Sequence, residues 1–325
     1  MSLNVTDEED NLELQVTFRF YAVFGGTAII TNLINIIIIN TYKPLQRKMT
    51  LYTALSFAEM INGIAYLVGA ICREVSLAGR DSTKTLNPWI CMTTKPWPVL
   101  FFLGGEFPAL ISFFLSLELM VASFYPGLYR AHWRYTNKVV LSYASFIICL
   151  CLNGVAFIAA KVNMDEPASS MCSVYEAAGT DYGVFHFIFV VVLYSVSTFL
   201  VFQAYRITRM TKAFSVADLR RQKLLLVINC VSSTFIAVPV LITLILIWLH
   251  QDPSLLFTGS IYCSFVFCST LHFPLFFIFR REFRLRILFL LGRRRKSVPQ
   301  PFQMPFSRSK ITSIAATQVS RTVDF

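Results

Sequence analysis

The sequence predicts an all-α membrane protein, a bundle of seven transmembrane helices followed by a short amphipathic eighth helix. Three observations lead to this fold class: seven apolar runs of bilayer-crossing length, a composition that is 55% hydrophobic and only 14% charged, and basic residues concentrated in alternate loops. A hydrocarbon core about 30 Å thick is crossed by about 20 helical residues. The runs lack the alternating pattern of barrel strands, so helices are the structure that satisfies their backbone hydrogen bonds in lipid.

The apolar runs also predict how the chain is divided. The seven spans cover approximately residues 18–40, 51–72, 97–122, 138–160, 183–206, 223–249 and 257–279. Residues 1–17 form an extracellular N-terminal segment, and residues 18–292 form the transmembrane domain with its eighth helix. Residues 293–325 are polar and contain several prolines, which predicts a disordered cytoplasmic tail.

Lys and Arg predict the orientation of the chain. They lie in the first, third and fifth loops and in the tail, whereas acidic residues gather in the N-terminal segment and between spans four and five; the second loop is mixed. By the positive-inside rule the N-terminus lies outside and the C-terminus in the cytosol of a multi-pass plasma-membrane protein. This pattern explains the net charge of +11, so the lipid bilayer is an expected partner and nucleic acid is not. Asn4-Val5-Thr6, on the segment predicted to lie outside, is an acceptor sequence for N-glycosylation.

Two of the eight cysteines, Cys91 and Cys172, fall in segments predicted to lie outside the membrane. That environment is oxidising and allows disulfides to form. The residues alone leave three outcomes open: a bridge between Cys91 and Cys172, a bridge from Cys91 to Cys72 near the end of span two, or free thiols.

The sequence contains no pattern that indicates an enzyme. It has no Gly-rich phosphate loop, no Cys or His metal spacing and no nucleophile elbow. The four histidines are far apart along the chain and form no ligand set; they are His132, His186, His250 and His272. We therefore expect no catalytic activity, no cofactor and no metal, with sodium at one intramembrane carboxylate as the single exception considered below.

Several short motifs lie one after another along the spans. They are Leu55–Glu59 in span two, Asn32 in span one, Glu118-Leu119-Met120 followed by Pro126 at the end of span three, Pro239 in span six, Phe273–Phe277 with Pro274 in span seven, and Phe283-Arg284 after it. In order and spacing they resemble the LxxAD, (D/E)RY and NPxxY motifs of rhodopsin-like G-protein-coupled receptors. The resemblance covers residues 18–292. Within that superfamily, Leu103–Leu110 and Tyr205–Arg209 most resemble nematode serpentine chemoreceptors of the Srsx class or a neighbour.

The resemblance implies a chemosensory receptor that passes a signal from an extracellular small-molecule or peptide ligand to a heterotrimeric G protein. It also implies a disulfide between Cys91 and Cys172. An activation network is implied at the positions that match the family motifs or their neighbours, namely Asn32, Glu59, Glu118, Leu119, Pro239, Ser269 and Pro274.

Glu106 in span three lies at the depth where related receptors bind small ligands. Because an uncompensated carboxylate in the membrane is costly, this position needs an explanation. We predict a ligand site formed by Glu106, Phe102 and His186, with Glu106 facing a cationic or hydrogen-bond-donating ligand. The alternative is a contact between helices, from Glu106 to a Ser or Tyr hydroxyl.

Two further carboxylates lie at membrane depth. Glu59 is predicted to be a structural carboxyl that contacts Asn32 or Ser269, with a sodium or proton site as the alternative. Glu118 lies at the inner rim, where we predict that loop cations and water surround it.

Several positions depart from the family pattern. Leu119 replaces the arginine of (D/E)RY, so no guanidinium pairs with Glu118 or reaches a G protein there. Ala237 replaces the usual span-six tryptophan, and Phe273 and Phe277 replace the polar residues of NPxxY. These departures keep three alternatives open: a seven-span transporter, a ligand-gated channel and a receptor-like protein that does not signal. The sequence shows no inverted repeats or paired intramembrane charges of the kind that transporters carry.

Overall fold

The computed structural model describes residues 5–78, 85–211, 216–249 and 255–292. The predicted glycosylation site at Asn4 and the predicted tail at residues 293–325 lie outside the described residues.

The described residues are almost entirely helical. In chain order the helices are α1 (Val5–Asn40), α2 (Lys43–Lys48), α3 (Thr50–Ala78), α4 (Pro88–Thr94), α5 (Trp97–Phe124), α6 (Pro126–His132), α7 (Tyr135–Val162), α8 (Thr180–Thr211), α9 (Val216–Ser232), α10 (Val238–Trp248), α11 (Leu255–Phe279) and α12 (Arg281–Leu290). A π-helical segment, Ser233–Ala237, joins α9 to α10.

Seven stretches of these described helices are long and apolar enough to cross a membrane, which confirms the predicted fold class of a helical membrane bundle. They are Leu12–Asn40, Thr50–Ala78, Trp97–Phe124, Tyr135–Val162, Thr180–Met210, Gln222–Trp248 and Gly259–Phe279. Most are longer than predicted because an apolar run marks only the part of a helix that lies in hydrocarbon. The clearest case is α3, which continues from the predicted end at residue 72 to Ala78.

The sixth span contains a break in its helical hydrogen bonding at Pro239. Proline has no backbone N–H, so the carbonyl four residues earlier loses its usual partner. That carbonyl belongs to Phe235 and lies within the π-helical segment, where it accepts a hydrogen bond from Ser264 Oγ of α11 at 2.7 Å. The irregularity at the proline is therefore stabilised by the neighbouring helix, as is usual for such breaks in membrane helices.

The helices pack around α5, which is the most buried of the described spans and contacts α3, α7, α8 and α9. The α1 and α3 helices approach closely where Gly25 faces Gly63. A Cβ atom added at Gly25 would lie 2.8 Å from the Gly63 carbonyl oxygen, so the crossing has no room for a side chain. Small residues commonly allow such backbone contact between membrane helices.

One end of the bundle is covered by a loop that is covalently attached. Cys91 of α4 forms a disulfide with Cys172, and a short antiparallel pair joins β1 (Thr85–Leu86) to β2 (Ala168–Ser169). We call this the disulfide end of the bundle. The opposite end of the same helices, where α5 reaches Glu118, is called the Glu118 end.

The contacts divide the chain into a compact unit, Met1–Arg286, and a second unit, Ile287–Phe325. The helix α12 begins in the first unit, where the buried ring of Phe283 lies 5.9 Å from that of Phe276 and 6.2 Å from that of Phe273. The helix α12 follows the seventh span, and its assignment as an amphipathic eighth helix along the membrane interface stays a prediction.

Candidate functional site

A cavity lies between α3, α5, α8, the sixth span and α11, on the side towards the disulfide end. Its walls are Glu59, Asn62, Tyr66, Phe101, Gly104, Gly105, Pro108, Val174, His186, Phe187, Val190, Tyr194, Ile236, Val240, Tyr262 and Phe265. The space open to the centre of a water molecule is about 30 Å³, which is room for roughly two waters. Ligands larger than a few heavy atoms require the bundle to open.

The three residues predicted to bind ligand lie together beside this cavity. Glu106 Oε1 is 2.9 Å from His186 Nδ1, and Tyr182 Oη donates to the same oxygen at 3.4 Å. The ring of Phe102 lies 5.0 Å from the His186 imidazole. Glu106 and Phe102 are completely buried and do not line the cavity, whereas His186 does. The structure therefore combines the two hypotheses for Glu106: it makes a helix contact to a Tyr hydroxyl, and through His186 it borders a cavity.

A second polar cluster joins α1, α3 and α11 near the middle of the bundle. Ser269 Oγ donates to Glu59 Oε2 at 2.5 Å, and Asn62 Nδ2 donates to Ser269 Oγ at 3.0 Å. Asn32 Nδ2 donates to the Ser269 carbonyl oxygen at 3.0 Å. Of the two partners predicted for Glu59, the structure places Ser269 in contact, while Asn32 reaches only the Ser269 backbone.

His272 is the member of this cluster that sequence reasoning missed. Its Nδ1 lies 3.6 Å from Glu59 Oε1, and both side chains are buried. Neither Glu59 Oε1 nor either ring nitrogen of His272 has a hydrogen-bond partner. The helical spacing in α11 offered a signal, because Ser269 and His272 are three residues apart and so lie on one face. Sodium at Glu59 stays a prediction; the described residues contain no group of three side chains with metal-ligand chemistry.

The structure brings together two pairs of intramembrane ionisable groups, Glu59 with His272 and Glu106 with His186. The sequence analysis assigned Glu106 and His186 to one ligand site without predicting their direct contact, and it did not link His272 to Glu59. Each pair joins helices that are far apart along the chain.

At the Glu118 end, a lysine side chain compensates the charge of the buried carboxylate. Lys138 Nζ of α7 donates to Glu118 Oε1 at 2.8 Å, and Tyr129 Oη of α6 donates to the same oxygen at 2.7 Å. The lysine side chain is only 9% exposed and the glutamate 1%. The prediction of a basic partner from the third loop therefore points to the correct region, but the lysine belongs to the first turn of a helix.

Three neutral side chains form a hydrogen-bonded triad that joins α5, α8 and α9 at the Glu118 end. Gln222 Nε2 of α9 donates to Thr208 Oγ1 of α8 at 2.6 Å and to Ser123 Oγ of α5 at 3.2 Å. Thr208 Oγ1 in turn donates to Ser123 Oγ at 3.3 Å, and all three side chains are buried. Ser123 also donates to the Leu119 carbonyl oxygen at 2.9 Å. We call Ser123, Thr208 and Gln222 the neutral triad; no sequence motif predicts it.

The disulfide end is held by a buried guanidinium in addition to the disulfide. Arg73 Nε donates to the Met171 carbonyl oxygen at 3.0 Å and Nη2 donates to the Cys172 carbonyl oxygen at 3.2 Å. Its Cζ lies 5.1 Å from the centre of the Phe101 ring and 6.0 Å from that of Trp97, within the range of cation–π attraction. Arg73 therefore anchors the loop that carries Cys172 to the part of α3 and α5 at the disulfide end.

Comparison with known proteins does not assign this chain to a family. No protein-family model matches this chain, and no curated protein matches it. The seven apolar helices fit a multi-pass membrane receptor or transporter in general.

Proposed function

We propose that this chain is a seven-transmembrane receptor of the rhodopsin-like kind with a chemosensory role. In this proposal the disulfide end faces the outside and the Glu118 end faces the cytosol. A ligand in the cavity shifts an equilibrium between closed and open arrangements of the Glu118 end, where a heterotrimeric G protein binds.

The observation that carries the proposal is the arrangement along α5. Near its middle, Gly104 and Gly105 form part of the cavity wall beside Glu59 and His186. Near its last turn, Ser123 joins α8 and α9 through the neutral triad. One central helix therefore contacts both the cavity and the hydrogen bonds that close the other end.

The polar cluster between these two regions supports the same proposal. Glu59 and Asn62 line the cavity and also bind Ser269 of α11. A ligand that moves either side chain changes the contact between α3 and α11. Such a contact gives a physical route for a ligand to favour one packing of the helices over another.

The test is a ligand screen in cells that lack endogenous Gα subunits, with and without a restored panel of Gα proteins. Second messengers should rise with ligand only when a Gα protein is present. A ligand response that persists without any Gα protein, carried as uptake or current, contradicts the receptor function.

The orientation is tested by epitopes after Met1 and after Phe325. The first epitope should be stained on intact cells, and the second should need permeabilisation, because the basic loops lie on the cytosolic side. The opposite staining pattern contradicts the proposed topology.

A transporter is the second candidate, and the two buried carboxylate–histidine pairs favour it. Ionisable groups inside membrane spans are frequent in proton and ion pathways. The discriminating experiment is proton and solute flux in proteoliposomes containing the wild-type chain or Glu59→Gln. Flux that depends on Glu59 supports transport, whereas no flux together with G-protein activation supports the receptor.

A further inference from the structure

The pair of Glu106 and His186 presents only one polar atom to the cavity. Glu106 is completely buried behind the wall, and its Oε1 is occupied by His186 Nδ1. The other ring nitrogen, Nε2, lies towards Gly105, where an added Cβ atom would be 3.1 Å from it. His186 and Gly105 both line the cavity, and Nε2 has no hydrogen-bond partner among the described residues.

The proton on Nε2 follows from counting charge in the pair. A carboxylate beside an imidazolium is neutral overall, and both ring nitrogens are then protonated. A carboxylic acid that donates to Nδ1 of a neutral imidazole is also neutral overall, and the ring proton is then on Nε2. Nε2 carries a hydrogen in both arrangements.

The two arrangements that leave Nε2 without a hydrogen are disfavoured at this site. A carboxylate beside a neutral imidazole carries one net negative charge, and among the described residues no cation other than His186 lies within 4.0 Å of Glu106. An uncompensated charge at this depth is costly. A proton on Glu106 Oε2 would restore neutrality, but that buried oxygen has no hydrogen-bond partner, so its O–H would be unsatisfied.

We infer that Nε2–H of His186 is the hydrogen-bond donor that this pair contributes to the cavity, beside the tyrosines of the wall, and that its ligands are small molecules with an acceptor such as a carbonyl oxygen. Glu106 is the positioning residue that keeps the donor protonated and directed. The inference rests on the proposed receptor function, because it takes the cavity as the ligand site. It also changes the ligand class expected from the sequence for Glu106, since a cation or a pure donor beside this pair would face an N–H group; the carboxyl group in the cavity wall is that of Glu59.

The rest of the wall fits the small apolar body of such a molecule. Phe187, Val190, Ile236 and Val240 lie around the cavity and supply apolar contact. A cavity lined mainly by apolar side chains with a few placed polar groups is the common form of a small-molecule site.

The first experiment observes the proton directly. Nitrogen-15 NMR of the full chain in lipid, labelled at histidine and assigned with His186→Asn, should show a protonated Nε2 at His186. In Glu106→Leu the carboxyl group that keeps Nε2 protonated is absent, so the Nε2 signal of His186 should move towards that of a free imidazole. A bare Nε2 in the wild-type chain overturns the inference, and this result is independent of whether any G protein is activated.

The second experiment measures the ligand class. Butanone, which only accepts hydrogen bonds, and butylamine, which is a cation, are compared for their effect on the Tm of the purified full chain. Butanone should raise Tm of the wild type and of His186→Gln, which keeps an N–H donor at the position of Nε2, but not of His186→Leu. His132→Leu is the control, because this exposed histidine lies at the Glu118 end and does not line the cavity, and it should keep the effect.

Protection by butylamine alone, by both compounds equally or by neither overturns the acceptor class. An unchanged effect of butanone in His186→Leu also overturns it. In each of these cases the ligand screen with restored Gα proteins still decides the proposed function separately.

Discussion

The two ends of the bundle are closed by different kinds of bond. At the disulfide end, a covalent link joins Cys91 to Cys172, and Arg73 binds two carbonyl oxygens of the same loop. At the Glu118 end, the neutral triad hydrogen-bonds α9 to α5 and α8. Neutral hydrogen bonds contribute about 0.5–1.5 kcal/mol each in net terms. The comparison indicates that separating the helices costs less free energy at the Glu118 end than at the disulfide end.

The ion pair at the Glu118 end does not alter this conclusion. Lys138 and Glu118 join α7 to α5, so a movement of α9 away from α5 leaves that pair intact. Charge compensation of Glu118 comes from Lys138, and closure of α9 comes from the neutral triad.

The largest effect is expected for Lys138→Met. The substitution removes the Lys138 ammonium group from the buried Glu118 carboxylate, and breaking a buried pair on one side costs about 3–5 kcal/mol. Thermal unfolding of the purified chain in detergent should show a lowered Tm. The control is Glu118→Gln combined with Lys138→Met, which should recover much of the loss because both charges of the pair are then removed. Additive losses in the double variant would show that the two side chains do not interact.

The next largest effect is expected for Cys172→Ser at the disulfide end. Removing the bridge frees a loop closed across a sequence separation of 81 residues, and such losses are commonly about 2–4 kcal/mol. Less protein should reach the cell surface, and its Tm should fall. Cys72→Ser is the matched control, since Cys72 is a free and partly buried thiol, and it should behave as the wild type. If a non-reduced digest joins Cys91 to Cys72 instead, the account of this end is wrong.

A smaller loss of stability, with a gain in basal activity, is expected for Gln222→Leu. The change removes two donated hydrogen bonds of the neutral triad, or about 1–3 kcal/mol. A shift of about 1.4 kcal/mol changes a two-state ratio tenfold, so basal second-messenger output should rise several-fold. Lys223→Leu, one residue along and exposed, is the control and should leave basal output unchanged. Equal basal output in both variants would mean that the triad does not hold the closed state.

The smallest effect is expected for Ser264→Ala. The hydroxyl satisfies the Phe235 carbonyl oxygen that Pro239 frees, so its loss should cost about 0.5–1.5 kcal/mol. A modest fall in Tm is the measurement. Pro239→Ala combined with Ser264→Ala should reduce the penalty, because the backbone N–H of an alanine can bind that carbonyl. An identical penalty with and without the proline would contradict this explanation of the π-helical segment.

The parts predicted correctly from the sequence are those set by local properties. Apolar runs placed all seven spans, because hydropathy and length are read from consecutive residues. Glu106 and His186 were assigned to one ligand site because each is an ionisable residue in an otherwise apolar helix. These signals are readable without knowing how the helices pack.

The parts that could not be predicted depend on which helix faces lie against each other. His272 is an isolated histidine in the sequence and becomes a neighbour of Glu59 only when α11 packs on α3. The neutral triad combines a serine, a threonine and a glutamine that are common on any helix. That Glu106 stands behind His186 instead of facing the cavity depends on side-chain direction, which spacing alone does not give.

The most direct test of the account measures which end moves. Spin labels at Tyr125 and Lys223 report the Glu118 end, and labels at Val75 and Trp248 report the disulfide end; all four side chains are exposed. The exposed thiols of Cys151 and Cys230 are first replaced by serine. In Gln222→Leu the first pair should gain a population at longer distance while the second pair stays unchanged. Lengthening at the disulfide end, or no change at the Glu118 end, would contradict the account.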